Sequence, residues 1–265
     1  GSKLNLYWNL KILKKIKPKI KNFNFLGVSI NSKEVKKKNL FIAIKGTNKD
    51  GHNYLNNVFK KKASCAVVSN KLKKNENKKL IYCKNTFNFL NELAKNKRSA
   101  SKAKIIAITG SSGKTTVKEY LGRLLSVFDE TFYSPKSYNN HYGVPLSLCN
   151  LERQHKYGVF EVGMSKKGEI KKLSNLVKPN IAIITNVAEA HIENFKNIQG
   201  IAKAKSEIIN NITKGGKLII NKEGKFFNYF KKKAEDKKIS VISYGFSKKA
   251  NVYPIFVKKR NNKIL

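Results

Sequence analysis

The sequence predicts an α/β protein: a small mixed α/β N-terminal domain over residues 1–84, then a mostly parallel sheet flanked by helices over residues 85–265. Three observations carry that reading. From Lys104 onward, short apolar runs alternate with helix-patterned stretches, the signature of a parallel sheet covered on both faces. A glycine-rich turn joins the first of these runs to the first of these helices. Before the break near Ser99–Ala103 the pattern is mixed.

Leu40–Ile44 (LFIAI) and Ala63–Ser69 (ASCAVVS) read as strands, with a short helix over 54–61 between them. The stretch Asn70–Lys79 (NKLKKNENKK) reads as a solvated loop, and a break falls at Ser99–Ala103 (SASKA). Five further strands are predicted: Lys104–Thr109 (KIIAIT), Tyr157–Val162, Asn180–Thr185, Gly216–Ile220 and Ile239–Tyr244. Between them lie helices near 167–176, 198–210 and 226–236. Val117, Tyr120, Leu121, Leu124, Leu125 and Phe128 recur at helical spacing, so one apolar face is expected on the helix after the glycine-rich turn. Gly1-Ser2, with no Met, reads as a cloning remnant and is set aside from the fold.

Composition excludes several classes. With 265 residues and 40% hydrophobic content the chain can build a real core. No apolar run approaches the roughly 18 residues that span a bilayer, so no transmembrane segment is expected. Cys65, Cys83 and Cys149 are odd in number and widely spaced, which argues against a zinc site or disulfide framework and for reduced thiols in a cytoplasmic protein. The net charge is +40, from 56 Lys+Arg against 16 Asp+Glu. Nearly all the excess is lysine spread along the chain beside abundant Asn, as an A+T-rich genome would impose. We therefore expect no specific nucleic-acid partner, although the field should help draw in anionic nucleotides.

Thr109–Thr116 reads TGSSGKTT, between a strand and a helix. Gly110 and Gly113 let the backbone turn its N–H groups toward a phosphate, and the helix N-terminus adds its dipole. Lys114 can neutralise phosphate charge and Thr115 can place a hydroxyl on Mg²⁺. The loop is shorter than the full Walker pattern, whose first glycine would fall at Ile108. Gly110, Ser111, Ser112, Gly113, Lys114, Thr115 and Thr116 are the expected ATP-binding set, and the larger sheet is expected to be of the P-loop type.

This shorter GxxGKT loop resembles that of the Mur ligase family and its folylpolyglutamate synthase relatives. Four segments in the same order are similar to that family: Tyr138–Pro145 (YNNHYGVP), Tyr157–Gly168 (YGVFEVGMSKKG), Asn180–His191 (NIAIITNVAEAH) and Ile201–Ile208 (IAKAKSEI). Asn31–Lys45, followed by Asp50-Gly51-His52, is similar to the family's small UDP-sugar domain. The YNNHYGVP and DGH segments favour the branch that adds D-alanyl-D-alanine to UDP-MurNAc-tripeptide. The alternatives are another Mur-type ligase adding a different amino acid and, from another class, a basic nucleic-acid-binding P-loop protein.

The resemblance implies ATP-dependent activation of a carboxylate, followed by attack of an amine, in peptidoglycan precursor synthesis. It implies ATP and two Mg²⁺ ions, with Lys114, Glu161, His191, Lys205 and Asn139 as catalytic residues. Thr115, Glu161, His191 and Lys205 would be metal ligands, Lys205 as a carbamylated lysine formed by CO₂. Asn186 would support the metal shell and Asn221 would meet the adenine. Ser32, Lys33, Lys45, His52 and Asn140 would bind the UDP-sugar, and His155 would lie on the surface. The family's Asp-Ser-Arg near the uridine is Asn31-Ser32-Lys33 here, which replaces a bidentate guanidinium with a point charge. The family's C-terminal domain is expected to be absent from this chain, and the protein is expected to be a monomer.

Overall fold

The computed structural model describes residues 1–70, 79–189, 192–255, 259–260 and 263–264. His191 and most of the 70–79 loop therefore lie outside the described residues. The chain opens on α1 (Ser2–Ile16), with Gly1 as its N-cap, so the two residues set aside from the fold belong to it. Its buried positions are Asn5, Asn9, Ile12 and Leu13. Two of the four are polar, which is why no apolar stripe announced this helix. Asn5 Nδ2 donates to Glu152 Oε2 at 2.7 Å, and Asn9 Nδ2 donates to the Phe25 carbonyl at 3.0 Å.

A first sheet follows, with β1 (Val28–Ser29), β2 (Leu40–Ile42), α2 (Leu55–Lys60), β3 (Cys65–Ser69) and β4 (Leu80–Cys83). Its four strands are parallel and lie in the order β1-β2-β3-β4. Alternate residues serve different faces. Leu40, Ile42, Cys65 and Val67 enter the main core, whereas Phe41, Ala43, Ala66 and Val68 enter a smaller one. Such strands, buried on both faces, read as continuous apolar runs. The three cysteines are buried and free. Burial pushes the Cys65 and Cys149 thiols up to about 12, so both stay protonated.

The helix α3 (Thr86–Ala100), capped by Asn85 accepting from Asn88 N at 2.9 Å, joins the two sheets. The larger sheet takes β5 (Lys104–Thr109), α4 (Lys114–Phe128), β6 (Thr131–Tyr133), α5 (Gly143–Cys149), β7 (Tyr157–Glu161), α6 (Glu169–Val177) and β8 (Ile181–Ile184). It continues through α7 (Ile198–Lys205), β9 (Lys217–Asn221), α8 (Phe227–Asp236) and β10 (Ser240–Tyr244), before a short antiparallel pair, β11 (Lys259–Arg260) and β12 (Lys263–Ile264). Strand order is β10-β9-β8-β5-β7-β6, and every pair in it is parallel. The predicted helix over 198–210 is α7 followed by a 3₁₀ segment, Ser206–Asn211. One hydrophobic core runs from Ile12 through Phe89 and Ile105 to Ile239, past both sheets.

The apolar face predicted on α4 is only half used. Val117, Leu121 and Leu125 pack on the sheet, but Tyr120, Leu124 and Phe128 are 72%, 58% and 72% exposed. The fully buried positions of this helix are Lys118 and Gly122. The reason is steric: the Tyr133 ring of β6 lies where a side chain at 122 would go, so the helix approaches the sheet along its glycine. The inward ridge is thus rotated toward 118 and 122, away from the hydrophobic stripe.

Lys97 is also buried. Its ammonium donates to Asn9 Oδ1 and, at 2.9 Å, to the Leu151 carbonyl, and it lies 4.6 Å from the centre of the Trp8 ring. It clamps α1 and α3 to the loop before β7. Burial brings its pKa down to about 8. Below pH 8 both folded and unfolded chains carry the proton, so the cost of burying the charge is fully present. Between 8 and 10.5 the folded chain releases it first, so stability rises with pH through that window. Relative to Lys97→Met, the wild type should gain roughly 2–3 kcal/mol from pH 8 to 10.5. Urea unfolding of both proteins at the two pH values measures this, and an unchanged difference would mean that the lysine titrates normally.

Candidate active site

Five segments of the larger sheet end on the same side: β5 at Thr109, β6 at Tyr133, β7 at Glu161, β8 at Ile184 and β9 at Asn221. The crevice outside these carboxyl ends is where such sheets bind ligands. The turn after β5 enters α4 through Gly113, at φ 80°, and α4 carries no side-chain cap. A Cβ at Gly113 would meet open space. The first N–H groups of this 15-residue helix are therefore left for an external acceptor.

Gly110 has a different task. At φ 151° it packs against Thr185, whose hydroxyl would overlap any Cβ placed there. Thr185 Oγ1 donates to the Ser112 carbonyl at 2.7 Å. Asn186 braces the same loop: its Oδ1 accepts from Ser112 N at 3.0 Å and its Nδ2 donates to Ser112 Oγ at 2.8 Å. The Ser111 hydroxyl accepts from Ala188 N at 2.9 Å. Ser111 and Ser112 thus turn their side chains to the segment after β8, and Asn186 shapes the loop. The sequence showed the loop but not its brace.

Lys114 reaches back over the loop, and its Nζ donates to the Gly110 carbonyl at 2.8 Å. Burial lowers its pKa and the Glu161 carboxylate partly restores it. Glu161 is fully buried at the end of β7. Thr115 Oγ1 lies 3.1 and 2.9 Å from its two oxygens, and Asn139 Nδ2 donates to Oε1 at 2.8 Å. Thr115 also lies 3.3 Å from Ser137 Oγ. A P-loop hydroxyl against a buried carboxylate is an all-oxygen donor set of the kind a hard divalent cation takes. Among the described residues no group of three His, Cys, Asp or Glu stands together as a metal site, and His191 lies outside them.

Lys118 is the residue the sequence reading missed. Its buried ammonium is 3.2 Å from Glu161 Oε2 and also donates to the Lys136 carbonyl. One signal was available: it lies one helical turn beyond Lys114. Lys205, at the C-terminal end of α7, is 4% exposed. Burial, assisted by the nearby Lys114 cation, brings its pKa down to about 8. None of the described residues forms a hydrogen bond with its amine.

Asn140 shapes the turn into α5, its Oδ1 accepting from Gly143 N at 2.8 Å and Tyr142 N at 3.1 Å. Asn221 Oδ1 accepts from Glu223 N at 2.9 Å at the end of β9. A second cavity of about 440 Å³ lies beside the first sheet and is lined by Lys45, His52, Phe87 and Tyr142, among others. Both ring nitrogens of His52 have protein partners: Nδ1 is 2.6 Å from Asp50 Oδ1, and Nε2 accepts from Ser69 N at 2.9 Å. This fixes the tautomer with hydrogen on Nδ1. Burial alone would raise the Asp50 carboxyl, but hydrogen bonds from the His52 main chain and ring outweigh it and hold it below the usual range. Ser32 and Lys33 lie in a separate turn, whose carbonyls accept from Lys61 Nζ at 2.8 and 3.1 Å, and they do not line this cavity. His155, expected on the surface, is half-buried against Phe132, and its Nδ1 accepts from Glu152 N at 2.9 Å.

The family model for the Mur ligase middle domain matches residues 108–264, and that for the Mur ligase family catalytic domain matches residues 24–98. The UDP-N-acetylmuramoyl-tripeptide--D-alanyl-D-alanine ligase of Rickettsia prowazekii is 40% identical over 256 residues, covering 96% of this chain and 57% of that protein. The ligase of the same name from Buchnera aphidicola of Acyrthosiphon pisum is 37% identical over 226 residues, 85% of this chain and 49% of that one. A crystal structure of MurF from Acinetobacter baumannii superposes with a TM-score of 0.79 at 29% identity, covering 94% of this chain and 55% of that one. MurF from Thermotoga maritima in complex with ADP gives 0.68 at 28%, covering 84% and 51%. The chain spans about half the length of the curated relatives it matches.

Proposed function

Since the chain belongs to the Mur ligase family, we propose that it supplies the nucleotide and precursor sites of a D-alanyl-D-alanine-adding ligase acting on UDP-MurNAc-tripeptide in the cytoplasm. In this reading residues 1–84 hold the UDP-sugar and residues 85–265 hold ATP. The observation that carries it is the contact of the P-loop Thr115 hydroxyl with the fully buried Glu161 carboxylate, beside an uncapped helix N-terminus. The relatives' names supply the substrates.

The N–H groups of Gly113 to Thr116 would bind the β- and γ-phosphates, with Lys114 over them. Thr115 and Glu161 would hold Mg²⁺, and Lys205, carbamylated, would offer an oxygen to a second ion with His191. Bound there, Mg²⁺ supplies charge neutralisation where two anions must meet. Asn139 holds Glu161 in place, and Asn221 offers its amide toward the base. Lys45, His52 and the Asn140 segment line the approach of the UDP-sugar, and Ser32 and Lys33 would have to reach it from their separate turn.

The γ-phosphoryl group passes to a carboxylate oxygen of the tripeptide. The amine then attacks that carbonyl carbon, the acyl C–O bond breaks while the O–P bond stays, the amine nitrogen gives up a proton, and phosphate leaves with the former carboxylate oxygen. A tripeptide labelled with ¹⁸O in its terminal carboxylate tests this. With the full-length protein, one label should appear in each phosphate released. Phosphate free of label would exclude the acyl phosphate route.

A further inference from the structure

We infer that Lys118 is a positioning residue: it fixes the Glu161 carboxylate and the Lys136–Asn140 segment in the single arrangement that sets Thr115 and Glu161 for a divalent cation. The inference rests on the reading of the site proposed above. Lys118 is wholly buried on α4, and a buried ammonium is costly unless paired and hydrogen-bonded. An aliphatic side chain would fill the same space without that cost. The charge is therefore best explained by what it holds.

It holds three acceptors from three places in the chain. Glu161 Oε2 is at 3.2 Å, Glu119 Oε1 at 3.5 Å, and the third is the Lys136 carbonyl. Asn139 holds the opposite oxygen of Glu161, Oε1, at 2.8 Å. With one oxygen tied to α4 and the other to the segment after β6, the carboxylate cannot rotate about its own axis. Lys136 adopts φ 51°, a backbone conformation that a non-glycine residue keeps only when its surroundings fix it. Lys118 fixes its carbonyl. Glu34, of the turn that carries Ser32 and Lys33, fixes its side chain at 2.5 Å and accepts from Tyr138 at 2.9 Å. The carboxylate at the phosphate loop and the turn near the small sheet are thus tied through one segment, and Lys118 is the tie on the carboxylate side.

The test uses Mn²⁺ as probe, titrated into the full-length protein with ADP, beside ADP titrated alone in EDTA. In Lys118→Met, Mn²⁺ affinity should fall about tenfold or more while affinity for ADP alone stays within about twofold. Lys118→Arg, which keeps the charge, should recover Mn²⁺ affinity to within about threefold of wild type. Where near-ultraviolet circular dichroism shows the Met variant unfolded, Lys118→Gln carries the same test, because it can still donate to the Lys136 carbonyl. A folded variant that binds Mn²⁺ like the wild type overturns the inference, as does a parallel loss of affinity for ADP alone, which would mark a merely structural lysine. A wild-type protein that binds no Mn²⁺ with ADP overturns the reading of the site as well.

Discussion

Lys114→Ala should lower phosphate release by the full-length protein by about 10³-fold and leave the fold intact. The size follows from the placement of the charge. Lys114 leans over the phosphate loop with its Nζ on the Gly110 carbonyl, at the N-terminus of a helix that has no side-chain cap. Transfer of a phosphoryl group to a carboxylate brings two anions together, so a fixed cation there acts mainly in the transition state. The structural loss is small. One hydrogen bond to a main-chain carbonyl disappears, worth about 1 kcal/mol, and the core is untouched because Lys114 is only partly buried. Steady-state phosphate release and a thermal melt of the same preparation measure both halves. Turnover within about threefold of wild type would remove Lys114 from the mechanism.

Lys205→Ala should lower turnover by about 10²-fold, and wild-type activity should depend on dissolved CO₂ in a way the variant cannot show. An amine must be neutral to react with CO₂. With its pKa down to about 8, half of the Lys205 amines are neutral at pH 8. An ordinary lysine at 10.5 would offer roughly 0.3%. The sign is fixed by the direction of that shift: the reactive fraction rises as pH approaches 8 and is nearly complete two units above it. Enzyme stripped of CO₂ at pH 8 should lose activity and regain it with bicarbonate. ¹³C-labelled CO₂ should give one carbamate resonance in the wild type that is missing in Lys205→Ala. Full activity without CO₂, or an unchanged spectrum in the variant, would assign Lys205 a different task. Losing a buried amine with no hydrogen-bond partner among the described residues should leave the fold standing.

The parts of this structure that the sequence made legible share a physical cause. Strands buried on both faces of a parallel sheet must be apolar throughout, so runs such as KIIAIT and NIAIIT mark β5 and β8 without help. The phosphate loop was legible because its glycines, lysine and threonine each do something no other residue type does there. What escaped did so for different reasons. α1 turns Asn5 and Asn9 inward, so it lacks a clean apolar stripe, whereas α3 buries Phe89, Leu90, Leu93 and Ala94 at helical spacing with Lys97 on the same face, and α5, buried at all seven positions, is too short and too uniformly buried to show a period. On α4 the Tyr133 ring decides which face is inside, and that contact joins residues eleven apart in sequence through a turn and a strand. The same holds within the site. Glu161 was legible as a lone acid in an apolar run, but the hold of Lys118 and Asn139 on its two oxygens arises only when α4, β7 and the segment after β6 meet. The place of Asn186 after β8 was visible in the sequence, but its partner, Ser112, was not.

The most direct test of the ligase reading is phosphate release by the full-length protein with Mg-ATP and UDP-MurNAc-tripeptide, with and without D-alanyl-D-alanine. Release that requires both the precursor and the dipeptide is the predicted result. Release that ignores the precursor, from folded protein that binds ATP, would contradict it.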